Sequence, residues 1–330
     1  MGLSQISRRA FHAGVLAGGG AGLFLPETLS AARQQPTEDR VLGAGASLRG
    51  LQVFPPDNPW NEDVSSRPVD PLSQRILRRI GLDKPLHPDF GTVYQGNPSG
   101  IPYVVVPGTQ ARVPVKFEYS EESDPGPYPI PSDAPIEGGE KSQGDRHVLV
   151  IDRDNQMLYE LFAAHRPSAG KGWEAGSGAI FDLKSNRMRP VGWTSADAAG
   201  LPIFPGLVRY DEVAGLRAVR HAFRFTVMRS RRAYVHPASH FASRLTEIDL
   251  PPMGMRVRLK SSYDSRKFPP QARVVLEALK SHGMILADNG GDWFVSGAPD
   301  PRWDDEDLAT LKRVKVRDFE VVAMGTLITR

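Results

Sequence analysis

Apolar residues in this chain recur in short bursts, most of them with a period of two. Val113, Val115, Phe117 and Tyr119 alternate with polar or small neighbours, and Val219 to Val227 does the same through His221, Phe223, Phe225 and Val227. That spacing predicts half-buried strands. His147 to Ile151 and Met157 to Phe162 flank the polar stretch Asp152-Arg153-Asp154-Asn155-Gln156 and read as a hairpin. Further strand patterns lie at 101–106, 175–183, 255–260 and 319–322, and 233–235 is expected to pair with 219–227 across an Arg-rich turn. Met284–Ala287 and Trp293–Ser296 surround Asn289-Gly290-Gly291, a strong turn signal, and predict a second hairpin. Helical spacing appears in three places. Asp70 and Pro71 open a segment whose Leu72, Ile76, Leu77 and Ile80 share a face. Pro269-Pro270 opens another, with Val274, Val275, Ala278 and Leu279 on one face and Gly283 as its stop. Asp304 caps a last short helix to Lys312, with Glu306 and Asp307 in its first turn, and 210–216 reads as one helical turn.

About ten short strands and three short helices, without βαβ alternation or a repeat, define a mainly β protein. The 32 Gly and 29 Pro agree with a loop-rich body. The expected fold is an antiparallel β-sandwich or jelly-roll-like body with a few short edge helices. It occupies residues 51–330 as a single β-rich domain. Phe54 to Asn61 is Pro-locked and extended, and should pack Trp60 on the body. The acidic, Pro-rich stretch 121–135 is too broken for a strand. Its Tyr128 and Ile130 predict an ordered loop laid against the surface.

The N-terminus narrows the compartment. Ser7-Arg8-Arg9-Ala10-Phe11 precedes a mild apolar run to Leu25, and Ser30-Ala31-Ala32 supplies small residues for cleavage. The paired arginines followed by Phe resemble a twin-arginine (Tat) export signal, with His12 and Ala13 where Leu and Lys are common. Residues 1–32 are therefore expected as a signal peptide read by the Tat export machinery, 33–50 as a flexible linker, and the mature protein as periplasmic or extracellular. The apolar run is too short to span a bilayer, so no membrane span remains after cleavage. There is no Cys, hence no disulfide framework and no thiol chemistry. A formal charge of +3 with scattered basic residues leaves no nucleic-acid footprint.

Candidate chemistry concentrates between residues 145 and 240. Gly176-Ser177-Gly178 departs from a nucleophile elbow, since Ala175 stands where Gly is required, and reads as glycine for close sheet packing. His236 and His240 have the i, i+4 spacing of a metal pair, to which Asp145 or His147 could add a ligand. No cofactor is expected, a divalent metal being the one possibility. Asp182, between Phe181 and Leu183, and Asp197, in a run of small residues, are the preferred carboxylate pair. Glycosidic cleavage needs one protonated and one ionised carboxyl. Asp145 and His147 join them as candidate acid/base groups. A turn-forming or capping role for the acids, and a satisfied core role for His147 and His221, are the competing assignments. Trp173, Trp193, Arg146, Arg209 and Tyr210 are the candidate substrate contacts, because sugar rings stack on aromatic faces while their hydroxyls bond to charged groups.

The phrases APIEGG, DRHVLVIDRD, LYELF, GSGAIFDL, GWTSADAAGLPI, PGLVRYDEV, HAFRFTV, MGMRVRL and GMILADNG resemble those of a group of secreted bacterial and fungal proteins. The resemblance runs from about Phe54 to Val322 and implies an extracytoplasmic protein; it carries no activity and no catalytic residue with it. The expected function is that of an exported carbohydrate-active protein, a glycoside hydrolase or polysaccharide lyase, cleaving an extracellular or cell-wall polysaccharide. The alternatives are a non-catalytic carbohydrate- or envelope-binding protein and a His-ligated metal-dependent enzyme.

Overall fold

Period-two alternation becomes two large mixed sheets that share one core, beside two small two-stranded sheets. The computed structural model describes residues 41–167 and 171–329. The expected signal peptide lies outside the described residues. In chain order the first strands are β1 (Gly43–Ala44), β2 (His87–Asp89), β3 (Val93–Tyr94), β4 (Asn97–Pro98) and β5 (Tyr103–Val106). Next come β6 (Val115–Phe117), β7 (Val148–Asp152), β8 (Met157–Phe162), β9 (Trp173–Ala175) and β10 (Ser177–Asp182). The last are β11 (Phe223–Val227), β12 (Arg256–Leu259), β13 (Met284–Asn289), β14 (Phe294–Ser296) and β15 (Phe319–Val321). Helices α1 (Ser73–Ile80), α2 (Pro270–Ser281) and α3 (Asp305–Ala309) are short.

A five-stranded sheet runs β1-β5-β7-β8-β10, and a six-stranded sheet runs β15-β12-β13-β11-β14-β2. The mainly β architecture is the expected one; within it β5–β7, β11–β13 and β14–β2 pair in parallel. Alternation splits the five-stranded sheet between two cores. Val105, Leu149, Ile151 and Leu158 join Phe223, Phe225 and Val257 of the other sheet in the main core. Val104, Val106, Val148, Val150, Tyr159 and Leu161 face a smaller core covered by Tyr128, Ile130, Ala134 and Ile136. The acidic Pro-rich stretch is thus an ordered cover, with Tyr128 fully buried. Gly178 lies under it, where a Cβ would meet the Tyr128 hydroxyl and the Phe117 ring; this is the packing role read from the sequence.

The structure departs from the expected pairing in two places. Met284–Asn289 and Phe294–Ser296 are not hairpin partners, because β11 lies between them. The turn is widened to straddle that strand, with the amides of Gly290 and Trp293 donating to the carbonyls of Val227 and Thr226. Tyr234 bridges to Met253 and Ile328, not to β11. Parallel neighbours reached by long connections leave no turn signal to read. Asp70 accepts from the amides of Leu72 and Met324, and α1 begins only at Ser73. Asp304 caps α3 as expected, accepting from Glu306 and Asp307. Of the expected linker, residues 41–50 lie on the body: β1 pairs with β5, and Ser47 Oγ donates to Asp211 at 2.9 Å.

Gly283 ends α2 with φ of +66°, and a Cβ there would run into the Val257 carbonyl. Both the left-handed backbone and the close approach exclude a side chain. Gly283→Ala should cost about 1–3 kcal/mol in urea unfolding, with an unchanged m-value.

Candidate functional site

Glu160 opens the site. Alternation along β8 puts it on the face that also carries Leu158, toward the main core. A carboxylate in such a place needs donors. The backbone amides of Ile203 and Phe204 supply them at 2.9 Å, from the start of the 3₁₀ turn Phe204–Gly206. Burial, reinforced by the nearby Asp197 and opposed by those two amides, pushes the Glu160 carboxyl up to about 8. The group is therefore protonated in the folded protein at neutral pH and ionised when unfolded. Stability is fully present below the unfolded value near 4.5 and declines as pH rises toward the folded value. Glu160→Gln keeps an acceptor for the two amides and should flatten the decline. The measurement is Tm across pH 5 to about 8, with the variant gaining on the wild type toward the alkaline end.

Across from Glu160, β11 presents Arg224, its second residue. Its guanidinium grips Asp197 through two bonds of 2.8 Å and donates to Ser296 Oγ of β14 at 2.6 Å. The Asp197 side chain is 0% exposed. Burial opposes the charge on Arg224, yet the charge and hydrogen bonds of Asp197 override it and hold the guanidinium more firmly protonated than usual. The third acid is Asp288, near the end of β13. The register shift between Phe225 and Thr226 sets Asp288 opposite Thr226. Burial, then the charge of Asp197, lifts its carboxyl well above the usual range, with Arg224 opposing and Asp145 adding to the rise. The hydrogen bond given to it is from the Asn289 amide. Three buried carboxyls thus surround one guanidinium, and only Asp197 is matched to it in a bidentate pair.

A half-buried rim lies over this cluster. Asp145 and Glu137 are partly exposed and act electrostatically on Asp288 and Arg224, respectively. His147 is buried beside Glu137. Its Nδ1 is 3.3 Å from the Leu161 carbonyl, and its Nε2 is 3.9 Å from the Glu137 carboxylate. Backbone bonds knit the contributing loops together. Ala199 donates to Ala287, the amides of Ser239 and His240 approach the Ala199 carbonyl, and Asn289 Nδ2 donates to Ala242 at 2.8 Å. His240 Nδ1 is 3.0 Å from the Ala198 carbonyl, and Ser239 Oγ donates to the carbonyl of the half-exposed Trp193.

Of the sequence candidates, Asp145, His147, Asp197, Trp193 and His240 belong to these converging loops. Asp182 does not. It is exposed at the far end of β10 and accepts from the Lys184 amide in a turn. The near end of β10 is marked by Ser177, whose Oγ donates to the Ser195 carbonyl. Asp182 lies five strand residues, roughly 16 Å, beyond Ser177, at the opposite end of β10 from the loop that carries Asp197. Trp173 is buried in the smaller core with the Arg166 guanidinium over its ring, so it offers no open face. Arg146 is spent on the carbonyls of Gly139, Glu140, Ser142 and Ala164. Arg209 pairs with Glu212 at 2.7 Å, and Tyr210 is packed between Trp303 and Arg302. His221 also belongs to that second network, through Glu212 at 3.0 Å. His236 is exposed on irregular backbone, so the i, i+4 spacing does not place it on a helix face with His240. Among the described residues no group of three or more His, Cys, Asp or Glu is arranged to hold a metal.

Glu160, Arg224, Asp288 and Ser296 were not legible as candidates, although a signal existed. Glu160 interrupts LYELF, Arg224 interrupts HAFRFTV, and Asp288 follows MILA. A charge inside an apolar strand demands a partner; Asp182, at the end of β10, meets that demand in the turn that follows. Comparison of the chain with protein families, characterised proteins and solved structures returns no match.

Proposed function

We propose that this is an exported acid/base enzyme that cleaves an extracellular or cell-wall polysaccharide, with Asp288 as proton donor and Asp145 as the second carboxyl. The observation that supports it is the juxtaposition of a buried, poorly paired Asp288 with the partly exposed Asp145 under a rim of loops. Burial and the charge of Asp197 raise the Asp288 carboxyl well above its ordinary value, the direction a general acid requires. Asp197 does not serve as nucleophile in this reading. Locked to Arg224, it is the fixed negative charge that helps Asp288 hold its proton. In hydrolysis Asp288 protonates the departing glycosidic oxygen as the C–O bond breaks, and Asp145 either takes the proton of the incoming water or stabilises the cationic ring. Trp193 is half-exposed with the Arg189 guanidinium 5.2 Å from its ring centre, and the side of the ring away from Arg189 is the one proposed to meet a sugar.

The test is release of reducing ends from a panel of soluble cell-wall polysaccharides. Turnover by the wild type, reduced about 10²–10⁴-fold in Asp288→Asn, is the expected result. Binding across the panel without turnover by either protein leaves the non-catalytic carbohydrate-binding alternative in place. That alternative is favoured by one observation, the complete burial of the Asp197–Arg224 pair.

A further inference from the structure

An open groove lies apart from the acid cluster. It measures about 710 Å³ and runs between the π-turn Asp211–Leu216 and helix α2. Its walls are apolar: Val213, Ala214 and Val219 on one side, Val274 and Ala278 on the other. The α2 side extends from Pro270 to Ser281, roughly 17 Å of helix. Three arginines, Arg217, Arg266 and Arg273, also line it, against a single acid, Glu277. Arg266 is held by Asp264, and Glu277 is held by Lys280 and Ser265. Arg217 and Arg273 form no ion pair or side-chain hydrogen bond among the described residues, though Arg273 acts at longer range on Glu277. Arg217 has φ of 52°, the left-handed conformation in which glycine ends a helix without strain. A strained arginine at that position directs a cation to the groove where a glycine would close the turn more easily. The π-turn itself is an uncommon geometry that recurs at functional sites.

We infer that this groove binds the single acyl chain of a medium-length fatty acid, with its carboxylate on Arg217 and Arg273. An apolar trough of this length beside two uncommitted guanidiniums matches an amphiphile that is anionic at one end. The inference is independent of the acid cluster and of the reaction proposed for it.

Isothermal titration of the full mature chain with laurate, below its micelle concentration, tests it. One site per chain is expected. Affinity should fall by up to about tenfold for each two-carbon shortening toward octanoate. The double variant Arg217→Ala/Arg273→Ala changes only exposed side chains and should weaken laurate about tenfold while leaving dodecanol binding unchanged. Val274→Gln, on the groove wall, should weaken both. The inference is overturned by no binding, by several sites per chain, or by laurate affinity indifferent to both variants. Binding of an acidic amphipathic peptide in place of laurate overturns it as well.

Discussion

Replacing Arg224 by Ala should lower stability by about 3–5 kcal/mol, the largest loss expected from any single substitution in the cluster. The reason is what the substitution leaves behind. Asp197 is closed off from solvent and takes both of its short side-chain hydrogen bonds from the guanidinium. Without the cation it must stay buried as a bare charge, take up a proton, or drag water into the core. At roughly 2–4 °C per kcal/mol for a chain of this size, Tm should fall by about 6–20 °C. The loss measures stranded charge, not the net worth of the pair. The double variant Arg224→Met/Asp197→Leu should therefore be more stable than Arg224→Ala in the same thermal or urea experiment. A double variant as weak as the single would show that the pair contributes stability outright.

Asp288→Asn should reduce polysaccharide turnover by about 10²–10⁴-fold while leaving the melting temperature near that of the wild type. The two halves of that result have one cause. In the folded protein burial and the charge of Asp197 push the carboxyl toward its neutral form. An amide of the same shape mimics that neutral form, so folding should lose little. The proton to be donated is gone, so the chemistry loses most of its rate. The sign of the pH dependence follows: the active form carries the proton, so wild-type turnover declines as pH rises through the folded acidity constant. The stability contribution has the same sense, being present at low pH and lost as pH rises, and Asn should remove that slope. Retained turnover in Asp288→Asn would end the assignment of Asp288 as donor. A collapse of Tm at neutral pH would show that the carboxyl was ionised and structurally engaged.

Much of the fold could be read from local pattern. The β7–β8 hairpin, α2 with its Pro opening and Gly stop, and the capped α3 depend on residues close in sequence, where periodicity and turn chemistry report directly. What escaped depends on residues far apart. Nothing near Phe294 announces that β2, some two hundred residues earlier, will lie parallel to it. The site divides in the same way. Asp145, His147, Asp197 and His240 sit in loops rich in small and polar residues, where composition draws the eye. Glu160, Arg224 and Asp288 sit in strands that look like ordinary core, and their meaning appears only when the two sheets face each other. Asp182 misled because an acid at a strand end has a cheaper use, capping the turn that follows.

The two sheets are interleaved along the chain: β1 belongs to one, β2 to the other, β5 to the first again, and β11 returns to the second. No single cut separates them, and the acid cluster takes Glu160 from one and Arg224 and Asp288 from the other. An assembly intermediate with only one sheet formed would thus hold either acids without their cation or a cation without all its acids. Such half-built species gain nothing from desolvating those charges, and the balance closes only at docking. The cluster is in this sense a checkpoint on assembly, penalising every compact arrangement except the one in which both sheets have met in register.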